Sequence, residues 1–202
     1  EYDGTPLTSN EITVGGEDGF VGDEGVTYTI TGAQDLEHTW QIKKAQNHIT
    51  GLSLDGWIYG NAPHTPQATA KFGTVSFTYS DKQDGVFTQQ IPQNAGNYFV
   101  KAFVEGTGNY SEVTETLAFT ITPKALTAEN IAEISSQSFN GLPFEPVLTV
   151  KDGDTALVKD TDYTVVYENN VNAGTAKALV TFTGNYSGNA EKTFTIAPKP
   201  ID

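Results

Sequence analysis

Three short motifs recur in the same order along the chain, which restricts it to a series of similar small units. The first is an aromatic residue followed by a tight glycine turn and a proline. It occurs at Tyr2-Asp3-Gly4-Thr5-Pro6, Tyr59-Gly60-Asn61-Ala62-Pro63 and Phe139-Asn140-Gly141-Leu142-Pro143. The second is Asn-Ala-Gly, at Asn94-Ala95-Gly96 and Asn172-Ala173-Gly174, followed by a strand-like stretch and Gly-Asn-Tyr-Ser at 108–111 and 184–187. The third is a closing stretch with a Pro-Lys exit, at Phe119-Thr120-Ile121-Thr122-Pro123-Lys124 and Phe194-Thr195-Ile196-Ala197-Pro198-Lys199, with a degenerate copy at Trp40-Gln41-Ile42-Lys43-Lys44. The closing aromatics Trp40, Phe119 and Phe194 lie 79 and 75 residues apart. That period is too long for a solenoid repeat and fits tandem small domains.

Strand alternation runs through these units. Tyr98, Val100, Ala102 and Val104 share one parity, and so do Ala176, Ala178, Val180 and Phe182. Val75, Phe77 and Tyr79, and Leu117, Phe119 and Ile121, behave alike, with Thr, Ser and Lys between them. Period 2 with polar residues on the opposite face predicts antiparallel sheets packed as a two-layer sandwich. The 28 Thr residues fit pleated surfaces, and 20 Gly and 9 Pro supply turns. No crossover helices of the length a parallel α/β sheet needs are visible. The stretch from Leu126 to Ile134 has some helical character but reads as extended. Phe119, Ile121, Phe194, Ile196, Tyr98, Val100, Val180, Phe182 and Val165 are the expected core.

The Pro-Lys exits read as short, stiff linkers, because proline blocks ladder pairing and favours extended backbone. Unit boundaries therefore fall at 1–43, 44–124 and 125–202. The first unit is short. Its opening and closing aromatics are 38 residues apart, against 60 and 55 in the other two. It is expected to be a truncated or incomplete β module, with the discontinuity between Gly32 and Glu37. The absence of Met at position 1 suggests a piece of a longer protein, with any signal peptide or wall anchor elsewhere.

Charge and composition exclude several classes of function. Eleven Lys, no Arg and 25 acids leave a net charge of −14, which would repel nucleic acid and anionic membrane surfaces. No apolar run approaches the ~20 residues that span a bilayer. The absence of Cys removes disulfides, thiolate metal sites and cysteine nucleophiles together.

Chemistry-bearing residues are sparse. His38, His48 and His64 lack metal-binding spacing and read as solvated loop residues. No nucleophile elbow is present. Asp152, Asp154, Asp160 and Asp162, and Glu17, Asp18, Asp23 and Glu24, could offer oxygens to Ca²⁺, but neither group has EF-hand order. Asp152-Gly153-Asp154 reads more simply as a hairpin turn. Trp57 and Tyr59 share strand parity and are the candidate ligand-binding pair, able to stack on sugar rings. Trp40, Phe99 and Phe103 are further candidates, and core or inter-unit packing is the competing role for all of them. Lys and Asn recur on many strands, but no spacing singles out a pair for an isopeptide cross-link. No catalytic residue, cofactor or metal is expected.

The motifs together resemble the YDG- and MBG-type repeat modules of large bacterial surface proteins. EYDGTPLTSNEITV, with DGFVGDEGVTYTITGAQ, resembles a YDG-type module, the stretch from ITGLSLDGWIYGNAPHTP through NAGNYFVKAFVEGTGNYSEVTETLAFTI resembles a YGX-type variant, and FNGLPFEPVLTVKDGDTALV onward to EKTFTI resembles the commonest Gram-positive form. The resemblance implies tandem, Ig-like β-sandwich modules acting as non-catalytic spacer or scaffold in an extracellular or wall-attached adhesin stalk. The alternative is a glycan- or mucin-binding adhesive module whose partner is a host glycoprotein or polysaccharide. The fragment itself is expected to be monomeric.

Overall fold

The computed structural model describes residues 44–199. The incomplete first unit, the break between Gly32 and Glu37, His38, Trp40 and the 17–24 acidic stretch all lie outside the described residues.

The described chain is all β, with no α-helix. The first group of strands is β1 (Ile49–Ser53), β2 (Trp57–Ile58), β3 (Gln67–Ala70), β4 (Ser76–Ser80), β5 (Gly96–Val104) and β6 (Val113–Thr122). The second begins with β7 (Lys124–Ala125), β8 (Gln137–Ser138), β9 (Lys151–Asp152) and β10 (Thr155–Ala156). It continues with β11 (Tyr163–Glu168), β12 (Gly174–Phe182), β13 (Tyr186–Ser187) and β14 (Asn189–Ala197).

Two four-stranded sheets carry the molecule, and they share one plan. The first runs β2-β6-β5-β4 and the second β8-β14-β12-β11. In each, a two-residue strand pairs in parallel with the closing strand, and the remaining pairs are antiparallel. The opening aromatics occupy matching places. Tyr59 N donates to Thr122 O and Phe139 N to Ala197 O, each at 2.8 Å. The sequence repeat is thus a repeat of register as well as of motif.

Alternation decides the inner faces. Val100, Ala102 and Val104 are buried on β5, Phe119 and Ile121 on β6, Ala176, Ala178, Val180 and Phe182 on β12, and Phe194 and Ile196 on β14. Each sheet has a covering layer. Leu52 of β1 and Leu54 pack on the first with Trp57 and Tyr79. Leu126, Ile131, Leu148, Val150 and Leu157 pack on the second. Two expected core residues are only half-buried. Tyr98 lies near the start of β5, where its hydroxyl donates to Asn94 O at 3.0 Å. Val165 lies on β11, an edge strand that is incompletely covered.

The segment after Leu126 is not simply extended. Ala128–Asn130 forms one 3₁₀ turn, because Thr127 and Asn130 cap each other reciprocally. The chain then bridges Ile131 to Val150. Asp152-Gly153-Asp154 makes the expected hairpin turn between β9 and β10. Gly153, at φ 57°, takes the first central position that needs positive φ.

Close packing at β2 gives a direct test of the parallel edge. A Cβ added at Gly56 would lie 2.2 Å from the Thr120 carbonyl oxygen, which is backbone and cannot rotate away. Gly56→Ala is expected to cost about 1–3 kcal/mol of stability, the usual penalty of overpacking. Unchanged thermal unfolding would mean that β2 does not lie this close to β6.

Candidate functional site

The aromatic pair, Trp57 on β2 and Tyr59 just after it, divides between two environments. Trp57 is 5% exposed. Its indole stacks on Phe119 with centroids 5.3 Å apart and planes 25° from parallel, and His64 sits 6.1 Å from it. A sugar ring could reach it only by opening the core, so its size serves packing. Tyr59 is half-buried and packs against both sheets' clusters. Its ring meets Tyr186 edge-on at 5.5 Å and 80°. The pair therefore offers no joint stacking platform. Phe99 and Phe103 are half-buried on the face of β5 opposite Val100 and Ala102.

The titratable candidates do not converge. His48 and His64 are exposed, and His64 Nδ1 lies 3.1 Å from Asp55 O. Asp152 is held by Lys124, Nζ to Oδ1 2.6 Å. Asp162 accepts from Val158 N at 2.8 Å and so fastens its own loop. Among the described residues no three His, Asp or Glu side chains are grouped to hold a metal ion.

Motif residues gather instead where the two sheets meet. Asn185, of the second Gly-Asn-Tyr-Ser, accepts from Ala95 N at 2.8 Å and donates to Asn94 Oδ1 at 3.2 Å. Asn94 and Ala95 belong to the preceding Asn-Ala-Gly turn. The chain leaving the first sheet then runs along the same motif. Lys124 N donates to Asn185 O and Leu126 N to Ser187 O, pairing β7 in parallel with β13. Tyr59 on Tyr186 and Lys124 on Asp152 close the contact from either side. Tyr186 is buried, and its phenol is pushed up to about 12, first by burial and then by Tyr59, Asp152 and Asp162.

The backbone part of this contact occurs twice. Ala45 N donates to Asn109 O, Ser111 N donates to Ala45 O, and Ala45 bridges Tyr110 in parallel. Both Gly-Asn-Tyr-Ser motifs thus receive the chain that enters their own sheet region. Sequence reasoning found both motifs but not their contact. The signal available was an Asn at a fixed place in each, since a side-chain amide can donate and accept together.

Among the described residues no helix is long and apolar enough to cross a membrane. No protein-family model matches the chain, and no curated protein matches it.

Proposed function

We propose that residues 44–124 and 125–202 are tandem, Ig-like β-sandwich modules serving as a non-catalytic spacer or scaffold in an extracellular bacterial surface protein. The observation that carries this is the Asn185 contact. A stalk that transmits length must resist bending at its joints, and a joint held by one proline alone leaves several torsions free. Here side-chain bonds to Asn94 and Ala95, the β7–β13 pairing and the Tyr59–Tyr186 contact all fall at one joint. Its motifs belong to the repeat itself, so the same device can recur along an array. The charge of −14 supports an extended, soluble stalk through self-repulsion. The resemblance to YDG- and MBG-type modules supports the surface location.

Asn185→Ala tests the joint. It removes two hydrogen bonds worth about 1 kcal/mol each without touching either core. Small-angle X-ray scattering and NMR relaxation should show one dominant inter-module angle in the parent chain and a broad range in the variant, with both sheets still folded. A parent chain that already samples a broad range would overturn the stiff-spacer proposal.

A further inference from the structure

The two sheets differ most in one connection. Between β11 and β12 the chain takes five residues, 169–173, but between β4 and β5 it takes fifteen, 81–95. Connections of that length without regular structure are uncommon in compact domains and often functional. This one is pinned in three places. Thr88 exchanges both backbone hydrogen bonds with Tyr79, at 2.7 and 2.9 Å. Lys101 Nζ lies 3.8 Å over the Phe87 ring. Asn185 and the Tyr98 hydroxyl hold the far end at Asn94 and Ala95.

Between these anchors the loop and the sheet enclose an open cleft of about 350 Å³, near the lower end of the roughly 300–1,000 Å³ typical of small-ligand sites. Gln90 and Gln93 bring side-chain amides to its lining, beside Asn94, whose Oδ1 already accepts from Asn185, and Val86, Ile91 and Tyr98 bring apolar side chains. The lining contains one charged group, Asp81, and no cation.

We propose that this cleft binds a neutral oligosaccharide. Side-chain amides both donate and accept, which suits neighbouring hydroxyls on a sugar. Aliphatic and aromatic surface suits the C–H face of a pyranose ring. Asp81 and the chain's charge of −14 oppose phosphates, uronates and sialylated chains. An added peptide strand has no ladder to join beside the cleft, since 89–95 is irregular and Tyr79, at the cleft end of β4, already pairs with Thr88. This site is separate from Trp57, and it goes beyond the spacer role, which would hold without it.

The test uses the whole chain, labelled for NMR and titrated with neutral hexasaccharides of glucose, galactose, mannose and N-acetylglucosamine. Parallel titrations use a sialylated oligosaccharide and an unstructured apolar peptide. The expected result is saturable shifts confined to 81–98 with at least one neutral sugar. The double variant Gln90→Ala/Gln93→Ala alters exposed residues only. It should keep the parent spectrum elsewhere and weaken binding about tenfold or more, as expected for two lost hydrogen bonds. Absence of saturation with every neutral sugar, equal binding by the double variant, shifts mapping elsewhere, or a preference for the sialylated chain or the peptide would each overturn the proposal.

Discussion

Phe194→Ala is expected to lower the unfolding free energy of the second sheet region by about 3–5 kcal/mol, the range for truncating a buried phenylalanine. Phe194 lies on β14, between β12 and β8, and is 4% exposed. Across the ladder it faces Ala176, which is too small to collapse into the space it would leave. Tyr167 meets its ring edge-on at 6.3 Å. That ring is tethered by its own hydroxyl, which donates to Pro146 O, so it is poorly placed to swing into the gap. The cavity should therefore persist, which puts the cost toward the upper part of the range. Denaturant unfolding of parent and variant measures it directly. A loss below about 1 kcal/mol would mean that this face of β14 is not the packed one.

The inner faces were legible because period 2 leaves little choice. Once Val100, Ala102 and Val104 share a parity, only one face of β5 can be inward. The repeat was legible too, since residues that recur at matching places in two sheets must satisfy the same local geometry. Tyr59 and Phe139 illustrate this, each donating to the end of its closing strand. What parity cannot reveal is how far along a strand the cover extends. Tyr98 and Val165 have the inward parity but lie at a strand start and a sheet edge, so they are only half-buried. Trp57 posed the converse problem. A large aromatic on a short strand suits a surface platform or a core plug equally well, and only the position of Phe119 decides it. The 3₁₀ turn after Leu126 depends on a Thr127–Asn130 cap that competes with extended pairing nearby. The Asn185 joint depends on contacts across 90 and 91 residues of sequence, beyond any local pattern.

Alkaline pH should weaken the contact around Tyr186. Tyr186 is 5% exposed, and its phenol is raised from the ordinary 10.0 to about 12. Burial is the main cause, because tyrosinate would lose its hydration there. Tyr59 and the carboxylates of Asp152 and Asp162 add to it. Tyr79, Tyr163 and Tyr167 are raised as well, again chiefly by burial. A raised tyrosine pKa means that the folded chain keeps a proton that the unfolded chain gives up. The stabilisation is whole below about pH 10 and is lost as pH rises toward about 12. A tenfold difference in proton affinity is worth about 1.4 kcal/mol, and solvent screening reduces what is realised, so Tyr186 contributes a fall on the order of 1–2 kcal/mol across that window. Deprotonation of lysines and the growing negative charge also weaken the fold there, so the parent's slope alone does not isolate Tyr186. Tyr186→Phe does: it keeps the buried ring and removes the titrating hydroxyl. Denaturant unfolding from neutral pH upward should show the variant losing less stability than the parent above about pH 10, with near-ultraviolet absorbance of the parent reporting tyrosinate late, as unfolding begins. Parallel curves for the two proteins would show that Tyr186 titrates as an ordinary phenol and that the joint at Asn185 is open to water.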